Sequence, residues 1–447
     1  MRIPEKPKEL NVLLKKNFEE LLNISLKKES ILPFIADMNK KYIHWDKLRR
    51  LKMPGNEKPE SIWALIKLSR SINYKKIQFN KYKFVFSLSS EFQRRLHILD
   101  KGLGGKVLSD FDSININNQE REKYIISSLM EEAIASSQLE GAVTTRKIAK
   151  EMLRNNKKPK NYSEQMIVNG YNTIQEIVKM KEKILDVNTI LKLHKSITKD
   201  TLKEKKYEID FRDNNEVVVG DSLEAEKVYL TPPDCKKIPK LMEELCEFVN
   251  NDEKEFIHPI IKGIIIHFLI GYLHPFEDGN GRTARAVFYW YVFSRGYWLF
   301  EFMALSRIIL RSKVKYGLAY LYTETDENDL TYFIDYNLKC IESAMIEMEE
   351  YIKRKQKEQA GIINLIKKIK NINLRQAEIL KDAVKEPEKV LTINEIINIF
   401  GVAYDTARND LLELSKLGYL EKIKVEKKFI FKIKKDKIIK ELNDSKN

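Results

Sequence analysis

The sequence predicts a mainly α-helical protein with a short β-hairpin flap, an N-terminal helical extension and a C-terminal winged helix. Three observations carry that expectation. Apolar residues recur at helical spacing from the start, as in Leu10, Leu13, Leu14, Phe18, Leu21 and Leu22. A long apolar run, Ile260 to Leu273, and an amphipathic run, Ala286 to Phe293, flank a polar, glycine-rich loop. Near the C-terminus a helix, a glycine turn, a second helix and two strand-like runs follow one another, which is the order of a winged helix-turn-helix.

At 447 residues the chain exceeds one ordinary core, so two or three domains are expected. Its balance of 43% hydrophobic and 32% charged residues fits a globular protein and not a disordered one. No apolar segment reaches the roughly 20 residues that span a bilayer; the best, Ile264 to Ile270, is short and contains His267. The N-terminus carries charge with no apolar core after it, so no signal peptide and a cytoplasmic protein without membrane contact are expected. Cys235, Cys246 and Cys340 form no close pair, which argues against a disulfide framework and a cysteine-rich zinc site. A net charge of +15 favours anionic partners such as nucleotides or nucleic acid, although lysines spread this widely also describe a solvated surface.

In order, residues 1–115 read as mostly helical, with a strand at Tyr82–Leu88, a helix at Ser90–Leu99 and a break at Gly102–Gly105. No catalytic constellation falls there, and a structural or interaction role is expected. A core follows at 116–350. Its first helix, within 123–141, ends at Glu140-Gly141, where glycine takes the left-handed conformation without a side-chain penalty. An acid at a helix C-terminus opposes the macrodipole and calls for a cation. Met166–Thr201 reads as further helix, Val217–Val219 as a strand or hairpin, and Ile238–Val249 as helix. Residues 351–374 read as a helical linker. Residues 375–447 hold the winged module, opened by the capping pattern Thr392-Ile393-Asn394-Glu395 and closed by strands on either side of a basic turn.

The chemistry concentrates in His274 to Arg285. Gly279, Asn280 and Gly281 stand at the expected start of a helix, where unsatisfied amides and the dipole bind phosphate. Arg282 and Arg285 lie three residues apart on one helix face, within reach of a polyphosphate. Asp278 offers a hard oxygen to magnesium, and His274 can take a proton near neutral pH. Such parts suffice for nucleotidyl or phosphoryl transfer by positioning and charge neutralisation. No Walker-type phosphate loop occurs. His44, His97, His194, His258 and His267 form no cluster and read as packed side chains.

Taken together, the string resembles the signature of the Fic family, His-x-Phe-x-(Asp/Glu)-Gly-Asn-Gly-Arg-x-x-Arg, at every defined position. The resemblance extends over roughly residues 85–350, with Arg212–Pro233 similar to the family's flap and Asp326–Ile334 to the segment after its core. It implies a Fic-type helical core and a protein adenylyltransferase that moves AMP from ATP, with Mg2+, to a Ser, Thr or Tyr hydroxyl of a target protein. His274 would be the base and Asp278 the metal ligand. Gly279, Asn280, Gly281, Arg282 and Arg285 would bind the phosphates, Phe276 would anchor the loop, and Val217, Val218 and Val219 would pair with an extended target. By the same resemblance Tyr316 and Tyr320 fall near the nucleotide.

Ser136 to Gly141 resembles the family's inhibitory motif, (Ser/Thr)-x-x-x-Glu-(Gly/Asn). It implies that Glu140 pairs with Arg285, that Ser136 fixes the helix end, and that the chain is autoinhibited. Other readings stay open: removal of AMP by a water held on Glu140, or a DNA-binding regulator with the core as nucleotide sensor. In the second, Tyr404, Arg408 and Asn409 would face a groove, with Asp405 and Asp410 beside them. Relatives acting as kinases carry Lys where Gly281 stands, which favours AMP transfer. DNA and a second copy of the chain complete the expected partners.

Overall fold

The computed structural model describes residues 2–26, 28–103, 118–180, 184–220, 228–251, 256–368, 371–385, 390–425 and 428–434. Among them, eighteen α-helices and three small antiparallel sheets occur, as the mainly α expectation requires. Four helices open the chain: α1 (Leu10–Leu26), α2 (Lys28–Lys40), α3 (Trp45–Leu48) and α4 (Pro59–Ser71). A hairpin of β1 (Lys75–Phe79) and β2 (Tyr82–Phe86) follows, then α5 (Ser90–Leu103). Strand β1 was not expected: Lys75, Lys76 and Gln78 alternate with Ile77 and Phe79, a pattern short enough to pass for loop. The Gly104-Gly105 part of the expected break lies outside the described residues.

Next come α6 (Asn118–Leu139), α7 (Arg146–Arg154), α8 (Tyr162–Met180) and α9 (Val187–Thr198). The single helix read over Met166–Thr201 is therefore two. Asp186 caps the second, its carboxylate accepting the Thr189 amide at 2.7 Å. The flap pairs β3 (Val219–Gly220) with β4 (Val228–Leu230), Val219 opposite Leu230. Of the three valines only Val219 is in the ladder; Val217 and Val218 precede it, and Val218 is exposed.

Helices α10 (Ile238–Asn250), α11 (Pro259–Leu273) and α12 (Asn280–Ser294) come next. Except at Pro259, Gly271 and Tyr272, every residue of α11 is buried; in α12 only Gly281 and Ser294 are not. The amphipathic pattern expected for Ala286–Phe293 is thus absent, because other helices cover α12 on all sides. Gly263 of α11 lets the two helices close up, since a Cβ there would stand 3.2–3.3 Å from Tyr291, Phe288 and Val292. The connection between them is exposed only at Glu277 and Asp278. A rigid, buried pair therefore presents the loop.

Helices α13 (Leu305–Arg311), α14 (Lys313–Thr325) and α15 (Thr331–Lys368) complete this part. The turn from α14 into α15 meets the N-terminal helices in a buried polar cluster. Lys67 of α4 lies 2.9 Å from Asp326, both essentially inaccessible. Tyr42 and Tyr74 each donate to Asp329 at 2.7 Å, and Tyr332 donates to Asp326 at 2.8 Å. Val85 of β2 accepts the Leu330 amide at 2.8 Å, so the hairpin joins the same turn.

The C-terminal part has its own core, formed by α16 (Leu374–Lys385), β5 (Val390–Thr392), α17 (Ile393–Phe400), α18 (Tyr404–Lys416), β6 (Leu420–Val425) and β7 (Lys428–Ile433). Thr392 caps α17 by accepting the Glu395 amide at 3.1 Å, and Gly401 ends it at φ +64°. The sheet has three strands, ordered β5-β7-β6, where two were expected. The basic turn between β6 and β7 lies outside the described residues. Helix α17 rests on α6 and α7: Asn398 donates to the Arg154 carbonyl and Thr392 to Asn155 at 3.2 Å.

Lys67→Met removes the cation that pairs directly with buried Asp326, leaving Arg70 as the remaining positive charge near Asp326 and Asp329. A loss of about 3–5 kcal/mol in unfolding free energy is expected, the range for breaking a buried pair by removing one partner. Urea denaturation of the two proteins checks it.

Candidate active site

The loop between α11 and α12 is held by its own side chains. His274 ends α11 in the left-handed region, φ 47°, an unusual conformation for a residue with a side chain. Its Nδ1 lies 3.1 Å from the Gly271 carbonyl, which can only accept. In the neutral ring Nδ1 is then the protonated nitrogen, and Nε2 carries the free lone pair. Burial lowers the His274 pKa below the usual histidine value, so the neutral form is favoured at pH 7.

Asn280 closes the turn. Its amide accepts from the Phe276 N–H at 2.9 Å and donates to the Phe276 carbonyl at 2.8 Å. The side chain is engaged by these two bonds, so any part Asn280 takes in binding phosphate falls to its backbone N–H. Phe276 is fully buried and stacks on His194, with centroids 3.6 Å apart and planes 4° from parallel. Gly279 must be glycine twice over: φ is +80°, and a Cβ would come within 2.7 Å of Thr198. Arg212, at the base of the flap, clamps the loop from outside. Its Nε donates to the His274 carbonyl at 2.9 Å, its backbone N–H to the Pro275 carbonyl at 3.0 Å, and its Nη2 to the Pro233 carbonyl.

Asp278 is half exposed and points outward. Its Oδ1 accepts the Gly279 amide at 2.5 Å; its Oδ2 accepts Tyr162 at 3.4 Å and lies 3.6 Å from Arg282. Among the described residues no group of three or more His, Cys, Asp or Glu side chains could enclose a metal. One carboxylate fits Mg2+ only where substrate phosphates and water supply the other oxygens, the usual arrangement for that ion. Arg282 is buried, donates to the Ile197 carbonyl at 3.1 Å, and has Nε and Nη2 without hydrogen-bond partners.

Arg285 meets α6. Its Nε donates to Ser136 Oγ at 2.9 Å, and its Nη2 to the Ser136 carbonyl at 3.0 Å and to Glu140 Oε1 at 2.8 Å. The arginine side chain is 4% exposed and that of Glu140 is 34%. Burial alone would lower the Arg285 pKa; Glu140 first, with Tyr316 and Glu132, outweighs it, and the net shift is upward. Nη1 has no hydrogen-bond partner. The Glu140 carboxylate also occupies the space that a Cβ on Gly281 would need, so it lies directly over the start of α12.

The helix end that presents Glu140 is closed in the way glycine permits. Gly141, at φ +95°, donates to Gln138 at 3.2 Å, and Ala142 donates to Ser137 at 3.0 Å. A second cation answers the helix end, because Lys313 donates to the Leu139 carbonyl at 2.8 Å. Two turns earlier, Glu132 is fully buried and accepts from Tyr289 at 2.9 Å and from the Ser306 amide at 2.8 Å. Burial raises its pKa.

The structure thus brings His274, Asp278, Gly279 to Arg282, Arg285, Ser136, Glu140 and Gly141 into one neighbourhood, with the Val217–Val219 segment joined to it through Arg212. Sequence reasoning missed Tyr162, Glu132, Lys313 and the clamping role of Arg212. It also passed over His267, which bonds Tyr316 at 2.8 Å and whose proton affinity is lowered by burial and then by Arg285. None of these stands at a diagnostic spacing. Only the helix-end argument, which asked for a cation near Glu140, had a signal for Lys313.

A helical domain built around a buried, glycine-rich loop that carries two buried arginines is the class that this geometry defines. Residues 184–292 match the Fic/DOC family, and residues 375–424 match the DeoR-like helix-turn-helix domain. The chain therefore carries a Fic/DOC-family domain followed by a DeoR-like helix-turn-helix. Similar curated proteins include the protein adenylyltransferase Fic of Nematostella vectensis, 26% identical over 111 residues, covering 25% of this chain and 24% of that protein. The protein adenylyltransferase Fic of Drosophila melanogaster is 24% identical over 136 residues, covering 30% and 24%. The matched stretch thus spans about a quarter of the length of these relatives. A solved structure of a substituted form of Fic-1 from C. elegans has a TM-score of 0.50 at 14% identity, covering 79% of this chain and 90% of that one. No helix among the described residues is long and apolar enough to cross a membrane.

Buried His194 is held neutral, its pKa lowered to about 4 by burial. The unfolded chain binds a proton there below about 6.5, whereas the folded chain does so only below about 4. Stability therefore falls as pH drops through that window. In His194→Gln the fall is expected to be shallower by up to about 1.4 kcal/mol per pH unit, read from denaturation midpoints at pH 4.5, 5.5 and 6.5.

Proposed function

We propose that the chain is a protein adenylyltransferase, moving AMP from ATP to a hydroxyl of a target protein, and that Glu140 holds it inhibited. The observation that carries this reading is the ion pair between Arg285 and Glu140 over Gly281. The buried guanidinium of Arg285 is occupied by an acid from the same chain. In the open state, Arg282 and Arg285 would take phosphate oxygens, with the amides of Gly279, Asn280 and Gly281 at the N-terminus of α12. Asp278 would share Mg2+ with the phosphates, the ion supplying charge neutralisation there.

His274 Nε2, free by the tautomer argument, takes the hydroxyl proton as the target oxygen bonds to the α-phosphorus and pyrophosphate leaves. The depressed proton affinity of His274 keeps that nitrogen available at neutral pH. The β3–β4 ribbon would offer main-chain pairing to an extended target segment, with Val217 and Val218 leading into it. The glycine at position 281 supports AMP transfer over kinase-type chemistry. Glu140 in place could equally hold a water for removal of AMP, and the same assay separates the two.

With labelled ATP and a cell lysate, Glu140→Gly is expected to raise label incorporation by about tenfold or more, equivalent to about 1.4 kcal/mol. Incorporation should vanish when His274→Ala is added. Equal or lower incorporation by Glu140→Gly overturns inhibition by that residue, and loss of label from pre-modified protein only with Glu140 intact favours removal.

A second reading concerns the helix-turn-helix part, which would add DNA binding. It is favoured by one observation: α17 faces inward onto α6 and α7, while Tyr404, Asp405, Arg408, Asn409 and Lys416 of α18 are exposed. A second helix turned outward is the one that enters a major groove. Salt-sensitive retention of random 30-base-pair duplexes is expected, weakened about tenfold in Arg408→Ala. Absence of any shift at low salt leaves this surface for protein docking.

A further inference from the structure

The face of α6 turned away from Glu140 borders a cavity of about 410 Å³, a volume suited to a small organic ligand. By contrast, the space beside Arg285 is about 30 Å³. Tyr124, Ser127, Ser128 and Glu131 face the larger cavity from α6, spaced three, four and seven residues from the first, so they form one helical stripe. Arg146 and Lys150 of α7, Arg307 of α13 and Arg354 of α15 bring four cations to its wall, against the carboxylates of Glu131, Glu347 and Glu350. The remaining walls are apolar or aromatic, with Phe302, Met348 and Tyr351 among them, and Tyr351 meets Tyr124 edge to face at 5.5 Å.

The acids share their cations unevenly. Glu131 takes both Arg146 and Lys150, and Glu347 takes both Arg307 and the neighbouring Arg311. Glu131 and Glu347 thus each answer two positive groups, and the four lining cations exceed the three lining carboxylates by one. Burial, and to a lesser degree Arg146 and Arg154, lowers the Lys150 pKa against the opposing effect of Glu131. Two residues of the cavity wall, Ser128 and Arg307, each carry a buried donor, Oγ and Nε, without a hydrogen-bond partner. Native interiors rarely leave such groups unmatched, and a ligand is one of the standard reasons for it.

We propose that this cavity is a binding site for a small aromatic anion: a flat ring system between the aromatic and methionine walls, with one sulfonate, phosphate or carboxylate on the surplus cations. The site is separate from the loop at Arg285, and its occupant would rest on the helix that ends in Glu140.

The test uses the intact protein and 1-anilinonaphthalene-8-sulfonate as the probe, with dye fluorescence as the readout. One saturable site per chain is expected. Arg354→Glu reverses a wall charge at an exposed position, and Ser128→Leu fills the cavity and removes one orphan donor. Each should weaken binding at least about tenfold, with a far-ultraviolet circular dichroism spectrum and melting temperature like those of the parent protein. Arg285→Ala should leave the dye affinity unchanged. Absence of saturable binding, binding indifferent to both cavity variants, or loss in Arg285→Ala instead overturns the proposal. Because no AMP transfer is measured, failure of the adenylyltransferase reading does not affect the result.

Discussion

A guanidinium that is almost wholly buried has to be answered by negative charge and by acceptors, since leaving it bare would cost several kcal/mol. Arg285 is in that position, and much of the molecule is arranged around the answer. Helix α12 cannot turn the side chain outward, because nearly every residue of the helix is itself packed. The acid therefore has to come to the arginine. Helix α6 delivers it: Ser136 provides two oxygens, Glu140 the charge, and Gly141 with Lys313 allows the helix to stop there. Any group that replaces Glu140 there has to supply comparable negative charge in the same place.

The loop itself does not wait for a ligand to take shape. Asn280 ties both main-chain groups of Phe276, His194 stacks beneath that ring, and Arg212 braces the carbonyls of His274 and Pro275. Each contact is neutral or singly charged, and together they hold the loop in which His274 Nδ1 is capped by the Gly271 carbonyl. Preorganisation of this kind lets positioning and charge carry a transfer reaction.

Much of this was legible in the residues. The loop, its two arginines and the acid before Gly141 stand out because glycine, arginine and glutamate occur where a helix start or end makes their chemistry specific. The helical character followed from periodicity, and the order of elements in the C-terminal part from its caps and glycines. What stayed hidden depended on tertiary contact. Arg212 and Tyr162 reach the loop from elements 62 and 116 residues away, a separation no local pattern encodes. The even burial of α12 could not be read from an alternation of polar and apolar residues, because Arg282, Thr283 and Arg285 look like a solvent face until their partners are known. The flap was overread for the opposite reason: three valines suggest a strand, yet pairing needs a partner segment, and only Val219 meets one.

The seat of the C-terminal part has a bearing on how the chain could be rearranged. Its first helix after the cap, α17, lies against α6 and α7, with Asn398 and Thr392 bonded across the boundary. A domain attached by a tether alone can be exchanged for another without disturbing its neighbour. This one covers part of the same helix that ends in Glu140, so cutting it away would bare a packed surface on α6 itself. The two parts are therefore not interchangeable modules in sequence, and a truncated chain is a different protein in its resting state as well as a shorter one.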